Sequence, residues 1–165
     1  MTCQCSANFL AYINLQTMKL SFTEIFMNLA TDLAFRSHCV RAQVGAVLTK
    51  DTRIISIGYN GPPAGTHNCD EEWPETGCER DSRGSCLLAI HAEENAILFA
   101  TTNGSNIQGA TLYTTLSPCI ACARLILSSG IKVVIYKDSY AAYKGLPNDE
   151  GVDFLKRFGV EVNKY

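Results

Sequence analysis

The chain has 165 residues, 47% of them apolar, which suits one domain around one good core rather than two. Fourteen Lys and Arg against sixteen Asp and Glu give a net charge of -2; with no cationic surplus to neutralise a phosphate backbone, a stable hold on long DNA or RNA is disfavoured and a small substrate is favoured. No apolar run approaches the roughly 20 residues that span a bilayer, and Met1–Thr17 lacks the basic start and small-residue cleavage site of a secretory signal, so the expected setting is the cytoplasm, that of a host cell if the source is viral, with no membrane partner.

Residues 1–17 have no clear periodicity and carry two closely spaced cysteines, and Met18 immediately precedes the first patterned segment. They read as an extension of unknown role before a single domain at 18–165. Phe22, Ile25, Phe26, Leu29, Leu33 and Ala34 then fall at helical spacing behind the capping box Ser21-Phe22-Thr23-Glu24, predicting an amphipathic helix that ends near Ser37. Val44–Thr49 and Arg53–Tyr59 are apolar, β-branched runs joined by the polar turn Lys50-Asp51-Thr52, the pattern of an antiparallel hairpin. A polar stretch from Asn60 to about Gly84 holds Gly, Pro, His and Cys rather than a low-complexity linker. Loops that long in a compact domain are usually functional or disordered, and this one is expected to be ordered by something.

Beyond it the pattern predicts a helix from about Ala92 to Thr101, a strand from Ala110 to Leu116, and a helix from about Cys119 to Ser128. A strand at Lys132–Tyr136, a helix near Glu150–Phe158 and a short strand at Val160–Val162 complete the chain. That order predicts an α/β domain, a mixed five-stranded sheet with helices on both faces.

Two segments carry chemistry: His91-Ala92-Glu93 at the start of one helix and Pro118-Cys119-Ile120-Ala121-Cys122 at the start of the next. Residues two apart in mid-helix point to nearly opposite faces, so His91 and Glu93 share a site only if His91 lies in the first turn or the cap. Cys119 and Cys122, three apart at a helix start, can face one point, where free backbone N–H groups and the helix dipole stabilise thiolates. In a reducing compartment cysteines read as metal ligands or buried small hydrophobes rather than disulfides. With His91 they form a three-ligand zinc site, which leaves a fourth position for water, unlike a closed structural site. Zinc lowers the pKa of such a water from 15.7 to about 7, and Glu93 beside it can move protons as a general acid and base. The Asn103-Gly104-Ser105 glycosylation pattern carries no weight in that compartment.

These motifs and their surroundings resemble the deoxycytidylate deaminase family within the cytidine deaminase superfamily. The resemblance covers most of Phe22 to Val162, through Gln43-Val44-Gly45-Ala46-Val47, Gly58-Tyr59-Asn60-Gly61-Pro62-Pro63, His91-Ala92-Glu93-Glu94-Asn95-Ala96-Ile97, Thr115-Leu116-Ser117-Pro118-Cys119 and Ser129-Gly130-Ile131-Lys132. It implies a three-layer cytidine-deaminase-like fold and zinc-dependent conversion of dCMP to dUMP and ammonia, supplying dUMP for thymidylate synthesis. It also implies that Asn60 contacts the deoxynucleotide sugar, and that Ser37, Arg41 and Tyr140 help hold its phosphate and base. The family is typically a homo-hexamer activated by dCTP with Mg2+ and inhibited by dTTP, at a separate site lined by the Gly58, Tyr59, Asn60 and Gly61 region. Some members carry an extra structural zinc, for which Cys39, Cys69, Cys78 and Cys86 are the candidates here, with His67 or His38 able to replace one; buried reduced thiols are the competing reading.

Other readings stay open at this point. One is a deaminase of dCTP as well, of another cytosine nucleoside or nucleotide, or of a base in tRNA, the last weakened by the low positive charge. Another is a zinc-binding module without catalysis, which has no need of Glu93; a redox protein using Cys119 and Cys122 is more distant.

Overall fold

Alternation along the strands sorts the core into two halves. The computed structural model describes residues 19–73, 75, 78–82 and 86–165; the 1–17 extension lies outside the described residues. In chain order the elements are α1 (Phe22–Ala34), β1 (Gly45–Lys50), β2 (Arg53–Tyr59), α2 (Cys69–Glu72), α3 (Ala92–Thr102), β3 (Thr111–Leu116), α4 (Ile120–Ser128), β4 (Val133–Asp138), α5 (Tyr140–Lys144), α6 (Glu150–Arg157) and β5 (Glu161–Lys164). The strands form one sheet in the order β2-β1-β3-β4-β5. β1 runs antiparallel to both its neighbours, while β3, β4 and β5 are parallel. This is the expected mixed five-stranded sheet.

Side chains two apart on a strand share a face. Val47 and Tyr113 meet Phe26, Met27 and Ala30 of α1 on one side. Ala46, Leu48, Leu112, Val134 and Val162 point the other way, onto Ala92, Ala96 and Ile97 of α3, Ala123 and Ile126 of α4, and Val152 and Leu155 of α6. The larger half of the core therefore lies beneath the two helices whose first residues carry the chemical motifs.

Ser21 and Glu24 close the capping box in both directions: Ser21 Oγ accepts from the Glu24 N–H at 3.2 Å, and the Ser21 N–H donates to Glu24 Oε2 at 2.7 Å. α1 ends at Ala34 rather than near Ser37. The N–H groups of Phe35, Arg36 and Ser37 turn back to the carbonyls of Asp32, Leu33 and Ala34, so the last turn tightens and the chain leaves the helical path. The two short helices α2 and α5 were not expected, since four or five residues are too few to show a helical period.

The long loop is clamped where it begins and ends: the Gly61 and Ile90 N–H groups donate to each other's carbonyls at 3.1 and 2.9 Å. That clamp delivers the chain to His91. α3 approaches β2 so closely that a Cβ on Gly58 would stand 2.2 Å from the Ala92 carbonyl oxygen and 2.6 Å from the Ala96 nitrogen. Only glycine allows that contact. Among the described residues no helix is long and apolar enough to cross a membrane.

The β1–β2 pairing ends at Lys50 opposite Arg53, leaving Asp51 and Thr52 as a two-residue loop with φ of 48° and 64°. Both signs match a type I′ turn, for which Gly is favoured at the second position, whereas β-branched Thr52 is strained there. Thr52→Gly should therefore stabilise the protein by roughly 1 kcal/mol. Urea unfolding checks this, and a lower midpoint in the variant would contradict the turn assignment.

Candidate active site

His91 and Cys119 occupy the same structural position on two different helices. His91 is the N-cap of α3 and Cys119 the N-cap of α4, both with extended backbone, and neither side chain caps its own helix. An N-cap side chain ordinarily bends back to the first free N–H groups; here both are released to face outward toward each other. Glu93 lies in the first turn of α3 and Cys122 in the first turn of α4. The cap position is what lets His91 and Glu93 serve one site despite their spacing.

His91 Nδ1 stands 3.2 Å from Cys122 Sγ and 3.6 Å from Cys119 Sγ, and the three ligand atoms lie within 4.8 Å of one another. Tetrahedral zinc bonded to nitrogen and sulfur at ordinary lengths sets an N···S separation of about 3.6 Å. The donor chemistry and the spacing both fit that ion. Hydrogen bonds from Cys122 and His91 pull the Cys119 thiol down to about 3, against the opposing effect of burial. The same Cys119 contact holds His91 up at about 9, and the Cys122 thiol is pushed up by Cys119 and by burial. A metal held by these three residues would replace the protons that they otherwise share.

Glu93 is 4% exposed, which is rare for a carboxyl group without a cation against it. Burial pushes it up to about 7, with His91 pulling the other way.

Behind His91, Cys119 and Cys122 stands a residue that the sequence did not single out. Asp149 is the N-cap of α6 but makes no side-chain cap bond. Its Oδ1 instead accepts from Ser117 Oγ and from the Ala141 N–H, both at 2.8 Å, and its Oδ2 accepts from Ser139 Oγ at 2.6 Å. Ser117 Oγ in turn accepts from the Tyr140 N–H at 2.7 Å. One carboxylate thus joins the Ser117-Pro118-Cys119 turn to the start of α5. Gly151 seats α6 against the same turn, because a Cβ there would stand 2.0 Å from the Pro118 carbonyl oxygen. An Asp before a helix reads as an ordinary cap, so nothing in the sequence marked this role.

His91, Glu93 and Cys119 open into a cleft of about 310 Å³ whose wall also includes Arg41, Asn60, Tyr140, Tyr143 and Lys144. Of the expected substrate residues, Arg41, Asn60 and Tyr140 reach this wall. Ser37 does not line it: the side chain is buried, donating to the Asn60 carbonyl at 2.7 Å and accepting from the Cys39 N–H at 3.1 Å. Asn60 Oδ1 accepts from the Val44 N–H and its Nδ2 donates to the Ala42 carbonyl, each at 2.8 Å. Gly58 is filled against α3, and the Tyr59 carbonyl accepts from Asn95 Nδ2 at 2.8 Å. Tyr143 and Lys144 escaped the sequence reading because α5 did.

Cys39, Cys69 and Cys78 are buried, Cys86 is half-buried, and none is in a disulfide. Burial and the neighbouring Cys86, Cys39 and Cys78 push the Cys69 thiol up, and an Arg41 guanidinium nitrogen lies 3.7 Å from Cys78 Sγ. Among the described residues, the ligand groups drawn within 4.8 Å are the His91 trio and His38 with Asp70 and Glu71; the four cysteines do not form such a group. His38 pairs with Asp70 at 2.9 Å on an exposed surface, and His67 is exposed in the long loop.

Residues 20–138 match the model of the cytidine and deoxycytidylate deaminase zinc-binding region. The deoxycytidylate deaminase of Enterobacteria phage T2 is 42% identical over 76% of this chain and 82% of its own length. That of Homo sapiens is 36% identical over 83% of this chain and 80% of its own. The dCMP deaminase of cyanophage S-TIM5, whose crystal structure holds dCMP and dUMP, superposes with a TM-score of 0.73 at 34% identity, covering 90% of this chain and 99% of that one. The chain belongs to the cytidine and deoxycytidylate deaminase family. Within it, the chain is an enzyme of the deoxycytidylate deaminase kind.

Burial alone would raise the Asp149 carboxyl, but hydrogen bonds from Ser139, the Ala141 backbone and Ser117 outweigh it and hold the group below its ordinary value. A depressed carboxyl contributes stability that is present above the ordinary carboxyl pKa, about 3.9, and is lost as pH falls through the folded value. Asp149→Asn should accordingly be less stable than the parent at pH 7, with the difference narrowing in acid. Urea midpoints at neutral and acid pH test this; a difference independent of pH would contradict the charged role.

Proposed function

We propose that this enzyme hydrolyses dCMP to dUMP and ammonia at a zinc held by His91, Cys119 and Cys122. The observation that carries the reading is the meeting of these three donors at two helix N-termini, beside a buried carboxyl and against a cleft that His91 and Cys119 line. When bound, zinc supplies a Lewis-acidic centre with one position open to water, which becomes nucleophilic near neutral pH. Glu93 accepts a proton from the attacking water and delivers it to the ring nitrogen of cytosine; it then takes the remaining proton of the added hydroxyl and gives it to the amino group, which leaves as ammonia as the carbonyl of dUMP forms. Burial keeps that carboxyl close to the reacting atoms and away from bulk water.

The other walls orient the substrate. Tyr140, fixed through Ser117 and Asp149, packs beside the base, and Arg41 offers a cation to the phosphate. Asn60 forms the sugar side of the cleft, and buried Ser37 supports it by donating to its carbonyl. The relatives named deoxycytidylate deaminase and the S-TIM5 enzyme bound to dCMP and dUMP support this choice of substrate.

Activation by dCTP with Mg2+, inhibition by dTTP, a homo-hexamer and a nucleotide site at Gly58, Tyr59, Asn60 and Gly61 belong to the same proposal, supported by the family resemblance. A structural zinc on Cys39, Cys69, Cys78 and Cys86 belongs to it too, supported by the family resemblance alone, since these four free thiols do not gather at ligand spacing.

Ammonia release from dCMP is the test, with dCTP, cytidine and deoxycytidine as comparisons, each with and without dCTP and Mg2+ or dTTP. Preference for dCMP with opposite responses to the two effectors is the expected result; turnover of none of the substrates would remove the reading. Glu93→Gln should retain zinc while losing about 10²-fold or more in turnover, and near-normal turnover would take Glu93 out of the mechanism. His91→Ala should lose the catalytic zinc, measured as metal per chain.

A further inference from the structure

We propose that Lys144 is a specificity-determining residue that recognises the 5′-phosphate of the nucleotide and separates it from the bare nucleoside. The inference rests on the reading above and deepens it. The cleft is polarised: its acid, Glu93, sits with the metal donors, while its cations are Arg41 and Lys144. Arg41 is in part directed elsewhere, toward the sulfur of Cys78.

Lys144 is differently placed. Among the described residues it has no carboxylate partner, and its ammonium stands 5.8 Å from the Tyr140 ring centroid and 5.4 Å from that of Tyr143. Two aromatic faces attract an ammonium without neutralising it, so the charge is held beside the cleft and left available to an anion. The frame is fixed at both ends. Tyr140 is tied through its N–H to Ser117 beside the metal turn, and the Tyr143 hydroxyl donates to the Arg41 carbonyl. Gly145, with φ of 66°, ends α5 immediately after Lys144. A nucleotide whose base reaches the metal beside Tyr140 carries its phosphate toward the wall shared by Arg41 and Lys144. The ligand class is a phosphate monoester of a deoxynucleoside.

The experiment measures calorimetric binding of the product dUMP and of deoxyuridine to the zinc-loaded parent, Lys144→Met and Lys144→Arg. A charge-assisted contact of this kind should weaken dUMP, relative to deoxyuridine, by about tenfold or more in the Met variant. The Arg variant should recover most of that ratio, and added salt should shrink it. A change shared equally by both ligands, or none in either, would overturn the assignment. Because the readout is binding, it is separate from the reaction: absence of ammonia release from dCMP would defeat the proposed reaction, while the dUMP to deoxyuridine ratio judges Lys144.

Discussion

Two helices begin at the same point in space, and nearly every other feature of the molecule serves that meeting. A helix N-terminus offers unsatisfied N–H groups and the positive end of a dipole, an environment that favours thiolate over thiol. Placing Cys119 and Cys122 at one such end and His91 at another assembles three groups able to hold a metal without a long ligand-bearing loop. It also settles where Glu93 goes. With His91 in the cap, the second helical residue turns inward beneath it, and Glu93 is buried against the donors rather than facing the opposite side of α3.

The geometry depends on how the two helices are held to the sheet. Gly58 lets the first turn of α3 press onto β2, and Gly151 lets α6 press onto the Pro118 carbonyl. A methyl group at either position would meet backbone, which cannot move aside as a flexible side chain can. Asp149 completes the arrangement through polar contacts, joining the Ser117–Cys119 turn to α5 and so to Tyr140. Apolar packing fixes the helices, and a small buried hydrogen-bond network fixes the walls of the cleft.

What the sequence disclosed followed from periodicity and local chemistry. The capping box at Ser21, the strand patterns and the helices α3, α4 and α6 were legible because each is long enough to display its period or carries a local start signal. The grouping of His91, Cys119 and Cys122 was legible because their spacing is itself the signal. Less visible were features created only by tertiary contact. α2 and α5 are too short to show a pattern, and Asp149 resembles an ordinary helix cap until its partners, from Ser117 to Ser139, are brought beside it. Asn60 illustrates a second limit: its side chain is satisfied largely by the Ala42 and Val44 backbone, a task that sequence spacing does not reveal.

The central claim is that His91, Cys119 and Cys122 hold one zinc with a position left open. Anomalous diffraction at the zinc edge from metal-loaded crystals tests it most directly. The account predicts a peak at about 2.0–2.3 Å from His91 Nδ1 and both sulfurs, with Glu93 beside the ion but not bound to it. A fourth protein ligand closing the site, or zinc found only away from these three residues, would contradict it.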